Sequence, residues 1–329
     1  MLIVATIGFI FGALIGSFLN VVVWRVPRGM SLVRPPSTCP KCGRRIRPWE
    51  NIPILSWLCL GGKCAGCHLP ISWKYPAGEA AVGCLYAMIA VHVWQEALPW
   101  ETLIPWFWFA GSMLSLARID WEHRIIPNRV TYPGMAAALL CALALPLSRP
   151  ALVNPLNPNY GGLLTRPLLA AIRNLPLPEA YTLRMAAVAD CLAGLLLGLL
   201  LLGAVYVLGK KALQVRNRKK GIEDTPENTE VMGLGDVKML AMTGAFLGAD
   251  AVVFLLAGGT LLGFAIALIA NAFPKKTTTP TKNKGDKKDA TPKEPNPLLA
   301  SIPFAPAFAI PALLWTIAGN WLWLLFGDH

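Results

Sequence analysis

Charge is scarce in this chain. Only 15% of its 329 residues are Asp, Glu, Lys or Arg, against 55% hydrophobic, whereas a soluble globular domain carries about a quarter charged. That shortage excludes an ordinary soluble fold. The apolar residues fall in long runs, and a membrane-crossing helix needs roughly 20 of them in succession. The marks of a cleavable signal peptide are also missing. Leu2–Trp24 is apolar throughout and too long for an h-region. It has neither a basic n-region nor a small-residue cleavage site, so it reads as a retained first span. No internal repeat is present. Acids are outnumbered by bases 18 to 30, a net charge of +12. In a soluble protein that excess would point to nucleic acid. Here the cations gather in a few loops, where they set membrane topology instead.

Eight apolar stretches are present, at residues 2–24, 77–95, 102–119, 130–147, 186–209, 237–249, 251–272 and 301–325. They predict an all-α polytopic membrane protein of about eight transmembrane helices. Glycines such as Gly8, Gly12 and Gly16, or Gly194 and Gly198, recur at spacings that let helices approach closely, and packing is their expected role. Residues 25–75 hold nine Lys/Arg, residues 210–220 hold six, and residues 273–299 hold seven Lys. The positive-inside rule makes these three segments cytoplasmic. The turn at 96–101 and the Pro-rich loop 148–185 then lie outside, as does the N-terminus. The expected division is a first helix (1–27), a cytoplasmic metal module (28–76) and a membrane body (77–329). Residues 210–232 and 273–299 read as flexible cytoplasmic loops, the second too poor in apolar residues to fold.

Chemistry gathers at two places. Cys39-Pro-Lys-Cys42 and Cys64-Ala-Gly-Cys67 are two C-x2-C pairs with about 21 residues between them. Each pair can set two sulfurs on one tetrahedral ion, so together they predict a closed four-thiolate zinc site. A closed site has no open coordination position and is structural. Cys59 and His68 are spare candidates, expected to be neighbours rather than ligands. Disulfides are disfavoured in the reducing cytoplasm. Cys84, Cys141 and Cys191, in or beside apolar spans, behave as small hydrophobes.

The second place is a pair of acids. Asp120 ends the third span, and Asp236 begins the sixth, in Gly233-Leu-Gly235-Asp236-Val-Lys238. Carboxylates at a membrane edge are costly and functional by default. Loop charges put both at the cytoplasmic edge. Two carboxylates that share one proton can hydrolyse a peptide bond, one as base toward water and the other as acid toward the developing oxyanion. Taken singly, Asp236 could be a helix N-cap, and Asp120 could pair with Arg118 or Arg124. Gly233 and Gly235 are expected to permit conformations closed to other residues and close approach of a substrate strand. Asp190 and Asp250 sit at outer-side helix ends, where capping is expected. Span six is short and needs other helices to shield it.

The order of motifs is distinctive. Gly-Ser-Phe-Leu-Asn-Val-Val (16–22) is followed by the two Cys pairs enclosing Trp-Glu-Asn-Ile-Pro, then by Tyr-Pro-x-x-Glu ending at Glu79. Asp120 with Ile126-Pro127-Asn128, Gly-Leu-Gly-Asp-Val-Lys (233–238) and Ile-Pro-Phe-Ala-Pro (302–306) complete it. This resembles the type IV prepilin peptidase (prepilin leader peptidase) family of bacterial inner-membrane GxGD aspartic proteases. The resemblance implies prepilin or pseudopilin substrates, cut after a Gly at the cytoplasmic face. It also implies N-methylation of the new N-terminus with S-adenosylmethionine. Asp120 and Asp236 map onto the catalytic aspartates, with Gly233, Gly235 and Lys238 in support. Cys39, Cys42, Cys64 and Cys67 map onto the metal cysteines. Glu50 and Asn51 fall in the module linked to methylation. Ala305-Pro306 stands where the family usually has Gly-Pro. No Gly-rich methyl-donor loop is visible, so methylation rests on the resemblance. Two other classes compete. A transporter or ion relay would use Asp120 and Asp236 but leaves the cysteines unexplained. A membrane-anchored zinc-ribbon binding protein leaves Gly-x-Gly-Asp unexplained.

Overall fold

The computed structural model describes residues 1–149, 165–229, 232–272 and 304–326. Among them the elements are helical: α1 (Leu2–Arg25), α2 (Leu55–Cys59), α3 (Lys74–Gln95), α4 (Leu103–His123), α5 (Asn128–Ala144), α6 (Arg166–Arg173), α7 (Glu179–Lys220), α8 (Pro226–Thr229), α9 (Leu234–Leu247), α10 (Ala249–Ala272) and α11 (Phe304–Phe326). Long apolar runs become helices because a helix satisfies its own backbone polar groups where no water is available. By length and composition α1, α3 and α7 can cross a membrane, and α10 and α11 contain shorter apolar stretches.

Glycine sets the closest helix contacts. On α1, Gly8, Gly12 and Gly16 face α3, and a Cβ added at Gly12 would lie 2.7 Å from the carbonyl of Val82. Between α7 and α9, a Cβ on Gly194 would overlap the carbonyl of Gly244, and one on Gly198 would lie 2.8 Å from Ala241 Cα. The expected packing role of these glycines holds. One apolar core joins α4, α5, α7, α9, α10 and α11 around Phe109, Met113, Met239 and Met242. A second lies between α3 and α4 around Ile89, Val93 and Trp106. From Val237 to Leu247, α9 is buried except at Lys238, with α4, α5, α7, α10 and α11 around it. The short helix α9 is shielded by protein on its sides, as the sequence reading required of it.

The structure differs from the sequence expectation at three places. α7 does not stop at residue 209 but runs on to Lys220 and ends at Gly221 with φ 67°. Lys, Arg, Gln, Ala and Leu all favour helix, and bases in the last turn suit the dipole, so a polar composition did not mark a helix end. Past it, Asn217 Nδ2 donates to Asp224 Oδ1 at 3.2 Å and to Asn228 Oδ1 at 3.1 Å. Residues 148–185 are not all loop, since they contain α6 and the start of α7. Asp190 is no cap. It is buried within α7 and pairs with Arg149 at 2.7 Å, while Arg149 also donates to the carbonyl of Ala245 at 2.8 Å. Asp250 lies in the first turn of α10, where Thr165 Oγ1 donates to it at 3.1 Å. The Lys-rich segment 273–299 and residues 150–164 of the Pro-rich stretch lie outside the described residues.

Candidate active site and metal centre

Asp120 sits in the last turn of α4. The chain then reverses through Arg124, at φ 57°, and extended Pro127 leads into α5. This tight reversal pushes Ile126 against the start of α9. A Cβ added at Gly235 would lie 2.7 Å from Ile126 Cβ. Gly235 therefore matters for close approach, and it lies inside a helix rather than in a conformation reserved for glycine. Gly233 has φ −73° and ψ 141°, which any residue adopts. Its nearest neighbour, 3.7 Å from an added Cβ, is Asp236 Oδ2. The expected conformational reason thus fails at both glycines, and a steric reason replaces it at Gly235. Gly235→Ala should destabilise the fold by about 1–3 kcal/mol, the usual cost of overpacking. Thermal unfolding in detergent reads this, with Gly233→Ala as the near-neutral control. Equal melting of both variants and the parent would refute it.

Asp120 is 7% exposed and Asp236 8%, so neither is an ordinary solvated surface acid. α4 packs on α9, and the two carboxyl groups interact electrostatically. The backbone amide of Ala305, in the first turn of α11, donates to Asp120 Oδ2 at 3.0 Å. The last motif of the sequence thus closes over the first aspartate. Among the described residues neither aspartate has an ion pair. Arg118 instead pairs with Glu122 at 3.5 Å and donates to Asn20 Oδ1. The N-cap of α9 is Gly233, not Asp236. Asp236 is thus not the N-cap residue itself, though its carboxyl reaches back to the Gly233 backbone, and Asp120 has no ion pair with Arg118 or Arg124 within 4 Å among the described residues. Lys238 touches neither acid. Its Nζ donates to Asn128 Oδ1 at 2.9 Å and lies 5.3 Å from the centre of the Tyr132 ring, tying α9 to α5. The Ala305 amide, Ile126 and Asn128 were not singled out as site residues. The side chain at 305 is irrelevant to an amide contact, so residue type carried no signal there.

The four cysteines come together. One ligand atom from each of Cys39, Cys42, Cys64 and Cys67 lies within 4.8 Å of the others, and the Cys39 and Cys67 sulfurs are 3.9 Å apart. A tetrahedron with Zn–S near 2.3 Å has S–S edges of about 3.8 Å, so the donor set fits zinc. The two knuckles are built alike. Thr38 bridges Arg45 as Lys63 bridges Pro70. Cys39 N–H donates to Arg44 O and Cys64 N–H to Leu69 O, both at 2.9 Å. Gly43 (φ 69°) and His68 (φ 56°) take the equivalent left-handed position, so His68 belongs to the second knuckle's turn and not to the ligand set. Cys59 is exposed and outside the cluster. The amides of Cys67 and Gly66 draw the Cys64 thiol down to about 6, and those of Cys42 and Lys41 lower that of Cys39. Backbone donors therefore favour the thiolate at Cys39 and Cys64, whereas burial and the neighbouring thiols push Cys67 up to about 11.

Glu50 and Asn51 part company. Glu50 accepts from Arg44 at 2.7 Å and from the Arg47 amide at 3.1 Å. The Arg44 guanidinium holds its carboxyl below the ordinary range. It braces the knuckle. Asn51 borders a cavity of ≈310 Å³ between α1 and the module, with Ser17, Ser37 and Pro53 also on its wall.

A family model described as the Bacterial Peptidase A24 N-terminal domain matches residues 10–93, from α1 through the metal module to α3. The chain is 32% identical over 324 residues to a prepilin leader peptidase/N-methyltransferase of Myxococcus xanthus, covering 95% of this chain and 90% of that protein. A protein of the same description from Neisseria gonorrhoeae is 32% identical over 284 residues, covering 79% and 80%. One from Bacillus subtilis is 36% identical over 159 residues, covering 47% and 58%. No solved structure matches the chain.

Proposed function

The chain belongs to the prepilin leader peptidase/N-methyltransferase family, and we propose that it removes the leader from prepilins or pseudopilins with Asp120 and Asp236 and then methylates the new N-terminus. The observation that carries the peptidase reading is the burial of one aspartate on each of two packed helices, α4 and α9, neither of them ion-paired among the described residues. Two such groups disfavour double ionisation. The ionised one takes a proton from water as the oxygen attacks the scissile carbonyl. The protonated one donates to the oxyanion. Reversing the roles protonates the leaving amine and breaks the C–N bond. The Ala305 amide holds Asp120 in orientation, and the Lys238–Asn128 bond holds the start of α9. Burial of both acids argues against a solvated surface cluster.

Zinc on the four cysteines would be structural, tying residues 39–67 into one module. S-adenosylmethionine supplies the methyl group in the second reaction. Of Glu50 and Asn51, we assign Asn51 toward it, because Glu50 is already committed to Arg44. Eight helices of 14 residues or more among the described residues follow the eight apolar stretches, which supports an eight-span inner-membrane protein. Its N-terminus would be extracytoplasmic, with the module (28–76) and the aspartates cytoplasmic. The relay and binding-protein readings each leave half of the site unexplained.

The test is incubation of the purified protein with a prepilin whose basic leader ends in Gly, with labelled S-adenosylmethionine present. Cleavage after the Gly and label on the new N-terminus are expected. An intact substrate, with the protein folded, would overturn the peptidase reading. Cleavage without label would overturn methylation alone.

A further inference from the structure

Ile54 has a backbone that β-branched residues rarely take. Its φ is 63° and its ψ −53°, and the Leu55 amide donates to the Pro53 carbonyl at 2.6 Å. This is a γ-turn of the strained hand, and the branched Cβ makes it an outlier. Such a conformation persists only where its surroundings hold it. The Ile54 N–H donates to Oε2 of Glu79 at 2.7 Å. Glu79 lies on the second turn of α3 and is only 8% exposed. Gly16 of α1 presses on it from behind, since a Cβ there would lie 2.8 Å from Glu79 Cα. The carboxylate is thus fixed in place.

The same stretch of α3 collects contacts from the helix that bears Asp120. Asn20 Nδ2 donates to Tyr75 O at 3.2 Å. Asn20 in turn accepts from Arg118, which pairs with Glu122. Asp120 lies between them in sequence on α4 and, at about 100° per residue, faces the other way, toward Ala305 of α11. Among the described residues, the Ile54–Glu79 bond is the one hydrogen bond between residues 36–71 and a long helix.

We propose that Glu79 is a positioning residue. Its buried carboxylate latches the strained turn at Ile54 and fixes the four-cysteine module against the helices carrying Asp120. Methyl transfer depends on that latch and leader cleavage does not. This second part rests on the function proposed above. Cleavage uses groups on α4, α9 and α11 alone. Methylation acts on the amine left beside the two aspartates, so a module that takes part must stand at a fixed place relative to them. There the amine nitrogen forms its bond to the methyl carbon, the S–C electron pair returns to sulfur, and the extra proton leaves nitrogen for solvent.

The experiment compares full-length parent, Glu79→Ala, Glu79→Gln and each combined with Ile54→Gly. Glycine enters this turn without strain. Four quantities are read: prepilin cleavage, methyl transfer, zinc per chain, and hydrogen exchange at residues 54–55. Glu79→Ala should keep its zinc and its cleavage rate, exchange faster at 54–55, and lose methyl transfer by about 10-fold, the order set by releasing such strain. Ile54→Gly should restore most of that loss. Should Glu79→Ala shed zinc, Glu79→Gln decides, with a smaller loss that Ile54→Gly again repairs. Parent-like methylation and exchange in both Glu79 variants would overturn the latch. So would failure of Ile54→Gly to restore methylation in a zinc-loaded variant, or cleavage falling in step with methylation. If the parent neither cleaves nor methylates, the proposed function falls, and exchange at 54–55 still decides the latch.

Discussion

Asp120→Asn and Asp236→Asn should each lower the rate of leader cleavage by about 10²–10⁴-fold, the range for losing a general acid or base. Asparagine keeps nearly the same shape, so the Ala305 amide can still donate at position 120 and the helix start at 236 can persist. The loss would therefore be chemical. An amide can neither take the proton from water nor give one to the oxyanion. Under the proposed shared-proton mechanism the two carboxyls act as one unit, so the double variant should be hardly worse than either single one. Initial rates on a prepilin, with thermal unfolding as the control for folding, measure this. If one variant cuts at the parent rate, that aspartate is structural and the shared-proton mechanism is wrong. If the double loss equals the product of the singles, the acids act independently and the mechanism must be redrawn.

The second large effect concerns the metal. Cys39→Ser or Cys64→Ser should abolish zinc binding and unfold residues 39–67 as a unit. Besides the metal those residues have only isolated bridges, a single turn of 3-10 helix, α2, the Arg44–Glu50 pair and the Ile54–Glu79 bond to hold them. Structural zinc contributes on the order of 10 kcal/mol to such small modules. Elemental analysis should find one zinc per parent chain and none in either variant, and limited proteolysis should cut the variants between residues 39 and 67. Methyl transfer should disappear while leader cleavage stays measurable, since the aspartates rest on other helices. Full metal in either variant, or a parent that binds none under reducing conditions, would defeat the assignment.

What the sequence revealed followed physical necessity. A stretch of apolar residues has few options in a membrane, so the eight helices of 14 residues or more among the described residues were legible to within about four residues, apart from where α7 begins and ends. The metal cluster was legible because zinc geometry constrains ligand spacing. The two aspartates stood out as acids at the ends of apolar runs, and the structure buries both. What stayed hidden belongs to tertiary contact. Nothing in the spacing of Gly235 says that Ile126 fills the space over it. Nothing at Ala305 says that its amide serves Asp120. Asp190 looked like a cap because its partner, Arg149, lies 41 residues away. α7 looked shorter because composition marks the end of a membrane run, not the end of a helix, and the helix stops only where Gly221 adopts the left-handed conformation.

The shortness of α9 bears on where the chemistry sits. Fourteen residues rise about 21 Å, well below the roughly 30 Å of a hydrocarbon core. A lipid-facing helix of that length would suffer hydrophobic mismatch and would thin the bilayer around it. α9 meets protein instead, pinned by Gly194 and Gly198 of α7 on one side and by Ile126 on another. Mismatch is therefore borne by α1 and α7, whose sides stand open, and the depth of Asp236 is set by protein packing. The Asp236 carboxyl keeps its level whether the surrounding membrane is thick or thin.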